Sequence, residues 1–310
     1  MNSQEIISSY YEDSKILNST ADLVVFKKYD RLHILGNGPS TAYEILRLAS
    51  GTHQVDVSGT SGIAFANIEL SFYFFEPLGL INTSIHIANS VDLTRHSLGI
   101  SLHALQVLLL NKRDDIKVIL ANPQFSPNEF NFYHLVKGKR VILPTWFFVN
   151  EKHTLSKLNC LKAFFSDSYS RKNFILNFCG SIIRQISLAA ILGYHEVHIF
   201  GIEPSSRSYW YTKHLELIEG KLVSDVVPVV NEVLSNLLKI EQNDNLTYFA
   251  NCFDSDSIDN WPTFTRSILI CLRLFSRYFP EVKYCLHTQD PMILQMANEM
   301  LMMNLISQDL

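Results

Sequence analysis

The chain lacks the features that mark secreted, membrane-spanning and nucleic-acid-binding proteins. Its five cysteines are an odd number without a CxxC pair or zinc-like spacing, which favours reduced thiols in a cytoplasmic compartment. The polar, acidic N-terminus does not resemble a signal peptide, and apolar runs such as Ile186–Leu192 are far shorter than the ~20 residues of a membrane span. A net charge of −4 over 310 residues supplies no general attraction for nucleic acid. We therefore expect a cytoplasmic protein with no nucleic-acid partner.

What the chain does contain is enough apolar sequence for a large core. Hydrophobic residues make up 47% of it and charged residues 18%. Short apolar segments at 31–36, 54–58, 70–75, 117–121, 140–143, 195–200 and 246–250 predict strands. Segments between them, including 92–110, 127–136 and 225–242, predict helices. This alternation predicts an α/β fold, a Rossmann-like, mostly parallel sheet with helices on both faces. We expect a helical extension over 1–30, the sheet domain over 31–260 and C-terminal helices over 261–310.

The segment from Gly36 to Ser40 reads GNGPS and joins the first predicted strand to a helix. Glycines at such a turn let backbone N–H groups approach a ligand above the sheet, and Pro39 suits the first turn of the helix. The helix N-terminus favours a phosphate, and Asn37 can donate its amide to a phosphate or a ribose oxygen. The loop matches neither the GxGxxG fingerprint nor a Walker loop, so on spacing alone an ordinary turn is the alternative.

A second strand also ends in glycine. Ser181 begins a predicted helix, and residues 193–203 read GYHEVHIFGIE. Gly193 supplies a left-handed cap for that helix, and Ser181 can cap its N-terminus or place a hydroxyl on a phosphate or carboxylate. Because the carboxyl ends of parallel strands meet at one edge of a sheet, we expect Gly201–Glu203 to lie beside Asn37.

Taken together, the two motifs resemble the bacterial sialyltransferases of glycosyltransferase family 42, the Campylobacter type. Those enzymes are inverting, need no metal and use CMP-sialic acid as the donor. The resemblance implies a glycosyltransferase without a cofactor that moves sialic acid, or a related CMP-activated acidic sugar, to a surface glycan or glycolipid such as lipopolysaccharide or capsule. It implies that the enzyme acts in the cytoplasm or at the periphery of the inner membrane.

The same resemblance assigns the donor-binding residues. Its two motifs place nucleotide and sugar contacts at Asn37, Gly38, Pro39, Ser40, Ser181, Gly201, Ile202 and Glu203. Two further family asparagines are replaced here, one by Thr60 or Ser61 and the other by Glu76, with Asn67 as the alternative if the alignment slips. This departure leaves the identity of the sugar open.

The resemblance also points to a lid over about 204–224. Tyr211 matches a family tyrosine that steadies the departing phosphate, and Tyr209 substitutes for a second tyrosine whose place is taken by Ser205. The family's base histidine is missing from the corresponding stretch, and His214 is the nearest candidate, because a histidine side chain can accept a proton near neutral pH.

Two other functions remain open at this stage. Pterin-pyrophosphokinase-like phosphotransferases share both motifs more loosely and would require Mg²⁺, for which Asp254 and Asp256 are the candidates, although both are common turn residues. A non-catalytic protein that binds a nucleotide sugar is the second alternative, since the family's histidine is absent.

Other repeated side chains predict structural roles. His195 and His198 lie three apart on a strand and face opposite sides, so a zinc pair is not indicated, and His33 is expected to be structural. Met292, Met296 and Met300 recur on one face of the last helix, which predicts packing, a homo-oligomer contact or a membrane-surface helix.

Overall fold

The computed structural model describes residues 20–51, 53–75, 118–121, 140–142, 146–149, 154–178, 180–206, 210, 214 and 261–302. The predicted helices at 92–110, 127–136 and 225–242 and the predicted strand at 246–250 lie outside these residues. The described strands are β1 (Arg31–Leu35), β2 (Asp56–Thr60), β3 (Phe72–Phe75), β4 (Val118–Ala121), β5 (Arg140–Ile142), β6 (Trp146–Phe148), β7 (Ile175–Asn177), β8 (Glu196–Phe200) and β9 (Lys283–Leu286).

Seven of these strands form one sheet in the order β5-β4-β3-β2-β1-β8-β9, and all neighbours are parallel. The chain moves outward from β1 to β5, and β8 then returns to the free side of β1. The strand order therefore reverses between β1 and β8, which opens a crevice at the carboxyl edge of the sheet, where ligands of such folds bind. This sheet confirms the predicted α/β fold. Strands β6 and β7 form a separate parallel pair.

The burial of β1 and β8 explains their positions. In β1, Leu32, Ile34 and Leu35 are completely buried, as expected for a central strand covered on both faces. In β8, Val197 and Ile199 are buried whereas alternate residues are half-buried. One face of β8 is therefore covered by the core, and the other is only partly covered.

The described helices are α1 (Thr41–Ala49), α2 (Thr154–Ser166), α3 (Ser168–Asn173), α4 (Ser181–Ile191), α5 (Trp261–Tyr278) and α6 (Pro291–Met302), with 3-10 turns at Thr20–Phe26 and Ser61–Phe65. Helix α4 contacts β1 and α5, so the main core lies between these helices and the sheet. Gly193 ends α4 with a φ of 65°, and the N–H of Tyr194 donates to the carbonyl of Ala189 at 3.1 Å. The predicted glycine cap is confirmed.

A buried carboxylate fastens the amino edge of the sheet. Asp56, at the start of β2, accepts hydrogen bonds from the N–H groups of Lys28 and Tyr29 at 2.9 and 3.1 Å, and from the hydroxyls of Ser71 and Tyr194 at 2.8 and 2.7 Å. Burial, together with the charge of Asp56, raises the pKa of Tyr194, so its hydroxyl stays a donor. Asp56 thus joins the entry to β1, β2 and the connection from α4 to β8.

The C-terminal region contains the two predicted helices, α5 and α6, and a strand that the sequence pattern did not indicate. Strand β9 has four residues, of which three are half-buried and one is exposed, so it shows no clear apolar alternation. It pairs with β8 and extends the main sheet, and α5 packs against α4. On α6, which contacts α5, Met296 is buried, in agreement with the predicted packing face.

Candidate functional site

The two glycine-rich turns adjoin each other at the switch in strand order. Leu35 of β1 is paired with Phe200 of β8, and the chain continues from both into the turns. The N–H of Gly36 donates to the carbonyl of Phe200 at 2.9 Å, and the N–H of Gly38 to that of Gly201 at 3.0 Å. The expectation that both turns share the carboxyl edge of the sheet is confirmed.

The glycines are required by contact between the turns, and this corrects the expectation that they admit a ligand to the backbone. A Cβ on Gly36 would lie 2.5 Å from the carbonyl oxygen of Gly201, and one on Gly38 would lie 2.5 Å from Oε2 of Glu203. Gly201 has a φ of 70°, and its Cβ would overlap Oγ1 of Thr41 and lie 2.8 Å from the carbonyl oxygen of Gly36. The three positions have no room for a side chain.

The N-terminus of α1, predicted to hold a phosphate, is occupied by a carboxylate of the protein. Oε2 of Glu203 accepts a hydrogen bond from the N–H of Ser40 at 2.8 Å. A helix N-terminus favours any anion, and Glu203 is held beside it by the adjoining turn. Since Gly36 and Gly38 also donate their N–H groups within the protein, these three amides are not free to form the expected phosphate cradle.

Two side chains of the GNGPS segment carry buried oxygen atoms without a partner among the described residues. Oδ1 of Asn37 and Oγ of Ser40 are shielded from solvent and have no hydrogen-bond partner among the described residues. Buried polar atoms are nearly always satisfied by protein or by water. The polar contacts that this segment can offer to a ligand therefore include the side chains of Asn37 and Ser40.

Part of the predicted lid lies over Asn37. The N–H of Trp210 donates to the carbonyl of Asn37 at 3.0 Å, and the N–H of His214 donates to the carbonyl of Trp210 at 3.1 Å. The Trp210 side chain is fully buried. Tyr209, Tyr211 and Glu76 lie outside the described residues.

A cavity of about 630 Å³ opens beside these turns. That volume is in the range of about 300–1,000 Å³ found for small-molecule sites. Four segments line it, the start of α1, the end of β8, the lid and the loop after β9: Pro39, Ser40, Tyr43, Phe200, Glu203, His214, Leu286, His287, Thr288 and Gln289. Of the predicted site residues, the cavity thus brings together Pro39, Ser40, Glu203 and His214.

The loop after β9 is the part of the site that sequence reasoning missed. Asp290 caps α6 by accepting from the N–H groups of Met292 and Ile293 at 3.0 and 3.2 Å. It also accepts from the N–H and hydroxyl of Ser205 at 2.8 and 3.0 Å. Asp290 therefore ties Ser205, at the start of the predicted lid, to α6. The local signal was present, since Asp followed by Pro is a typical helix start.

The remaining predicted donor residues lie on neighbouring strands and helices. Thr60 ends β2 at the same edge, but its buried hydroxyl donates to the carbonyl of Phe74 at 3.0 Å. Ser61 begins the following 3-10 turn. Ser181 begins α4, whose other end leads into the start of β8, so Ser181 also lies towards the carboxyl edge. One turn further, Nε of buried Arg184 donates to Oδ1 of Asn177 at 2.7 Å.

Beneath α1, His33 of β1 is held by a charged pair. Its Nδ1 lies 2.5 Å from Oε1 of Glu44, which also accepts from Nη2 of Arg47 at 2.6 Å. Burial acts to raise the pKa of Glu44, but the hydrogen bonds from Arg47 and His33 outweigh it and lower the pKa to about 2. His33 therefore has the structural role that the sequence predicted.

A second histidine contact reaches the cavity. Nδ1 of His198, on β8, lies 2.8 Å from Nε2 of His287. The His287 ring stacks on Phe200, with centroids 4.4 Å apart and planes inclined by 7°. Burial lowers the pKa of both His198 and His287, which favours their neutral forms.

Within the described part of the chain, no group of three or more His, Cys, Asp or Glu side chains is placed to hold a metal ion. Asp254 and Asp256 are not in that part. None of the helices described is long and apolar enough to span a bilayer.

Comparisons with known proteins give one result. No family model and no curated protein matches the chain. Among solved structures, the monofunctional α-2,3-sialyltransferase Cst-I from Campylobacter jejuni matches with 16% sequence identity and a TM-score of 0.36, over 90% of this chain and 80% of that one. A similarity with a TM-score this low does not support an inference about this chain. The fold assignment therefore depends on the strand order of the seven-stranded sheet.

Proposed function

We propose that the chain is an inverting glycosyltransferase that takes an acidic sugar, sialic acid or a relative, from a CMP donor and transfers it to a glycan acceptor. One observation carries the proposal. The turns of the two motifs that resemble the sialyltransferases adjoin at the switch between β1 and β8, beside a cavity of about 630 Å³. The notable feature is that residues far apart in sequence meet where parallel α/β sheets bind nucleotides.

The donor is held in this proposal by the side chains at the two turns. Asn37 and Ser40 hydrogen-bond the donor's phosphate or ribose, which supplies partners for their buried oxygen atoms. Glu203 faces the same cavity and accepts hydrogen bonds from ribose hydroxyls or from the cytosine amino group. In this proposal, Ser181 contacts the carboxylate of the sugar, and Ile202 lies against the base and the sugar.

The reaction is a single displacement. The acceptor hydroxyl oxygen forms a bond to the anomeric carbon, the bond from that carbon to the phosphate oxygen breaks, and CMP leaves with the electron pair. Tyr209 and Tyr211 of the lid donate hydrogen bonds to the departing phosphate. The hydroxyl proton passes to a base, and two histidines line the cavity, His214 and His287. The chemistry requires no metal.

Thermal stabilisation by nucleotides tests the proposal directly. The full chain is melted with CMP, CDP, UDP, GDP or ATP, with and without EDTA, and then assayed for CMP release from CMP-N-acetylneuraminate, both by hydrolysis and by transfer to glycan acceptors. We expect CMP to stabilise selectively, by about 2.7 kcal/mol at 100 times its Kd, and EDTA to have no effect. Stabilisation by ATP only with Mg²⁺ would support a phosphotransferase instead, and CMP binding without any CMP release would support a non-catalytic binding protein.

A pair of serine variants locates the donor. S40A removes a buried hydroxyl with no partner among the described residues, so it should leave stability unchanged but weaken CMP binding by about 10- to 100-fold, the loss of one hydrogen bond to a charged group. S50A is the control, because Ser50 lies at the other end of α1 and its exposed hydroxyl donates to the carbonyl of Arg47. Equal CMP affinity in both variants would remove Ser40 from the site.

A further inference from the structure

We propose that His287 is the side chain that accepts the proton of the acceptor hydroxyl, and that His198 and Glu196 act as positioning residues behind it. This inference rests on the glycosyl transfer proposed above and names the base for it. His287 belongs to neither motif of the sequence and follows β9, a strand that the sequence pattern did not indicate.

The three side chains form a row that ends at the cavity. Oε2 of Glu196 lies 3.5 Å from Nε2 of His198, and Nδ1 of His198 lies 2.8 Å from Nε2 of His287. The centroids of the two imidazoles are 5.0 Å apart and their planes are inclined by 17°. Because the nitrogen atoms are much closer than the centroids, the rings meet edge to edge, as a hydrogen bond in the ring plane requires.

This row favours one position for the proton on each ring. Glu196 is ion-paired with Arg31 at 2.7 Å, which lowers its pKa and keeps it an acceptor only. At 3.5 Å its charge favours a proton on Nε2 of His198, which leaves Nδ1 of that ring as an acceptor. His287 then donates from Nε2, and its Nδ1 carries the lone pair that a base needs. No described residue hydrogen-bonds to that Nδ1.

The ring of His287 is also held in place. It stacks on Phe200, and its backbone N–H donates to the carbonyl of Ile199 at 2.8 Å, continuing the pairing of β9 with β8. A base that is fixed by a strand, a stacked ring and a hydrogen bond loses little freedom when it meets the substrate. His214, the base candidate from the sequence, lies on the lid.

In the reaction, the proton leaves the acceptor oxygen as that oxygen bonds to the anomeric carbon, and it is taken up by Nδ1 of His287. It is released to water after CMP, carrying the electron pair of the broken bond, has left. Burial keeps the pKa of His287 below the ordinary value for histidine, so the ring is neutral and ready to accept at neutral pH. The titratable and charged groups near this ring come from β8, β1, α1 and the cavity wall: His198, His33, Glu44, Arg47, Glu203 and His214.

The first test measures the rate of CMP release by the full chain across pH. In H287Q the amide nitrogen can still donate towards His198, but no group can accept the proton. We expect kcat to fall by about 100-fold or more, CMP affinity to stay unchanged and the acid limb of the pH profile to disappear. H195Q is the matched control, since His195 is an exposed histidine just before β8, and it should behave as the wild type.

A second pair of variants tests the positioning role of His198. H198N retains an acceptor for Nε2 of His287, whereas H198L does not. We expect H198N to keep much more activity than H198L, with the acid limb still present in both. If H198N and H198L lost the same activity, His198 would have only a packing role.

A third readout does not depend on turnover. Long-range proton–nitrogen NMR of the wild-type chain, with H287Q used for assignment, should show the proton of His287 on Nε2, and the opposite tautomer would overturn the assignment. Loss of the acid limb in H214Q but not in H287Q would give the role to His214. If the wild type is active and H287Q is equally active, His287 is not the base but the proposed function stands. If the wild type releases no CMP from any donor, the proposed function is wrong, and the assignment of the base falls with it.

Discussion

The contact between the two turns gives the sharpest test of the structure, through the substitution of Gly201 by alanine. Gly201 has a φ of 70°, a conformation that costs an L-residue about 1–2 kcal/mol. In addition, the new Cβ would overlap the Thr41 hydroxyl and lie 2.8 Å from the carbonyl oxygen of Gly36, which is backbone and cannot rotate away. Such overpacking typically costs a further ~1–3 kcal/mol. We expect G201A to destabilise the protein by about 3 kcal/mol or more.

Gly193 provides a control with nearly the same backbone conformation. Its φ is 65°, but a Cβ there would meet nothing within 4 Å. G193A should therefore cost only about 1 kcal/mol, because the conformational penalty is partly offset by the lower entropy of the unfolded chain. The difference between the two variants isolates the overlap at the turn.

Urea denaturation measures both values, with the midpoint reporting stability and an unchanged slope showing that the same surface is exposed on unfolding. CMP should stabilise G193A as it does the wild type, and G201A much less, because displacement of the turn moves Asn37 and Ser40. If G201A were no more destabilised than G193A, the two turns would not be in contact as described.

Four further substitutions have defined outcomes. Y194F removes one of four hydrogen bonds to Asp56 and should lower the free energy of unfolding in urea by about 1–2 kcal/mol; no change would mean that the bond is not formed. The pKa of Glu44 is lowered from 4.5 to about 2, so its charge stabilises the fold at pH above 4.5 and this contribution, about 3 kcal/mol, is lost as the pH falls towards 2. Acid unfolding of E44Q should lack this dependence, and an acid limb equal to that of the wild type would contradict the pairing. D290A and D167A each remove a helix cap and should lower thermal stability by about 1 kcal/mol or more, but only D290A frees the lid and should weaken CMP binding.

The main strands were predictable because their signal is local. Four of the five residues of β1 are buried, as expected for a central parallel strand, and the alternation of strands with helices leaves few arrangements other than a parallel sheet. β6, β7 and β9 were not predicted, although the predicted strands β3, β4 and β5 are equally short, so length does not explain the difference. Their pairing is decided by contacts with distant residues, which a local pattern does not contain.

Some features of the candidate site were also predictable from the sequence, and others were not. The sequence predicted that Asn37 and Gly201 would be neighbours, because the carboxyl ends of parallel strands meet at one edge of a sheet. It did not predict which contacts the two turns make with each other. Ser40 and Glu203 are 163 residues apart, and Ser205 and Asp290 are 85 apart. No feature near Glu203 shows that its carboxylate will occupy the N-terminus of α1. Only the assembled sheet reveals that contact.

The place of β9 has a consequence for biosynthesis. Its neighbour β8 pairs on its other side with β1, so the cavity has one wall from residues 39–43 and another from residues 286–289. On the ribosome, the early strands can pair while the second wall is still inside the exit tunnel, because chain elongation is slower than the folding of most domains. Nascent chains arrested before residue 283 should consequently be unable to retain CMP, and ligand capture would become a marker for complete translation through β9.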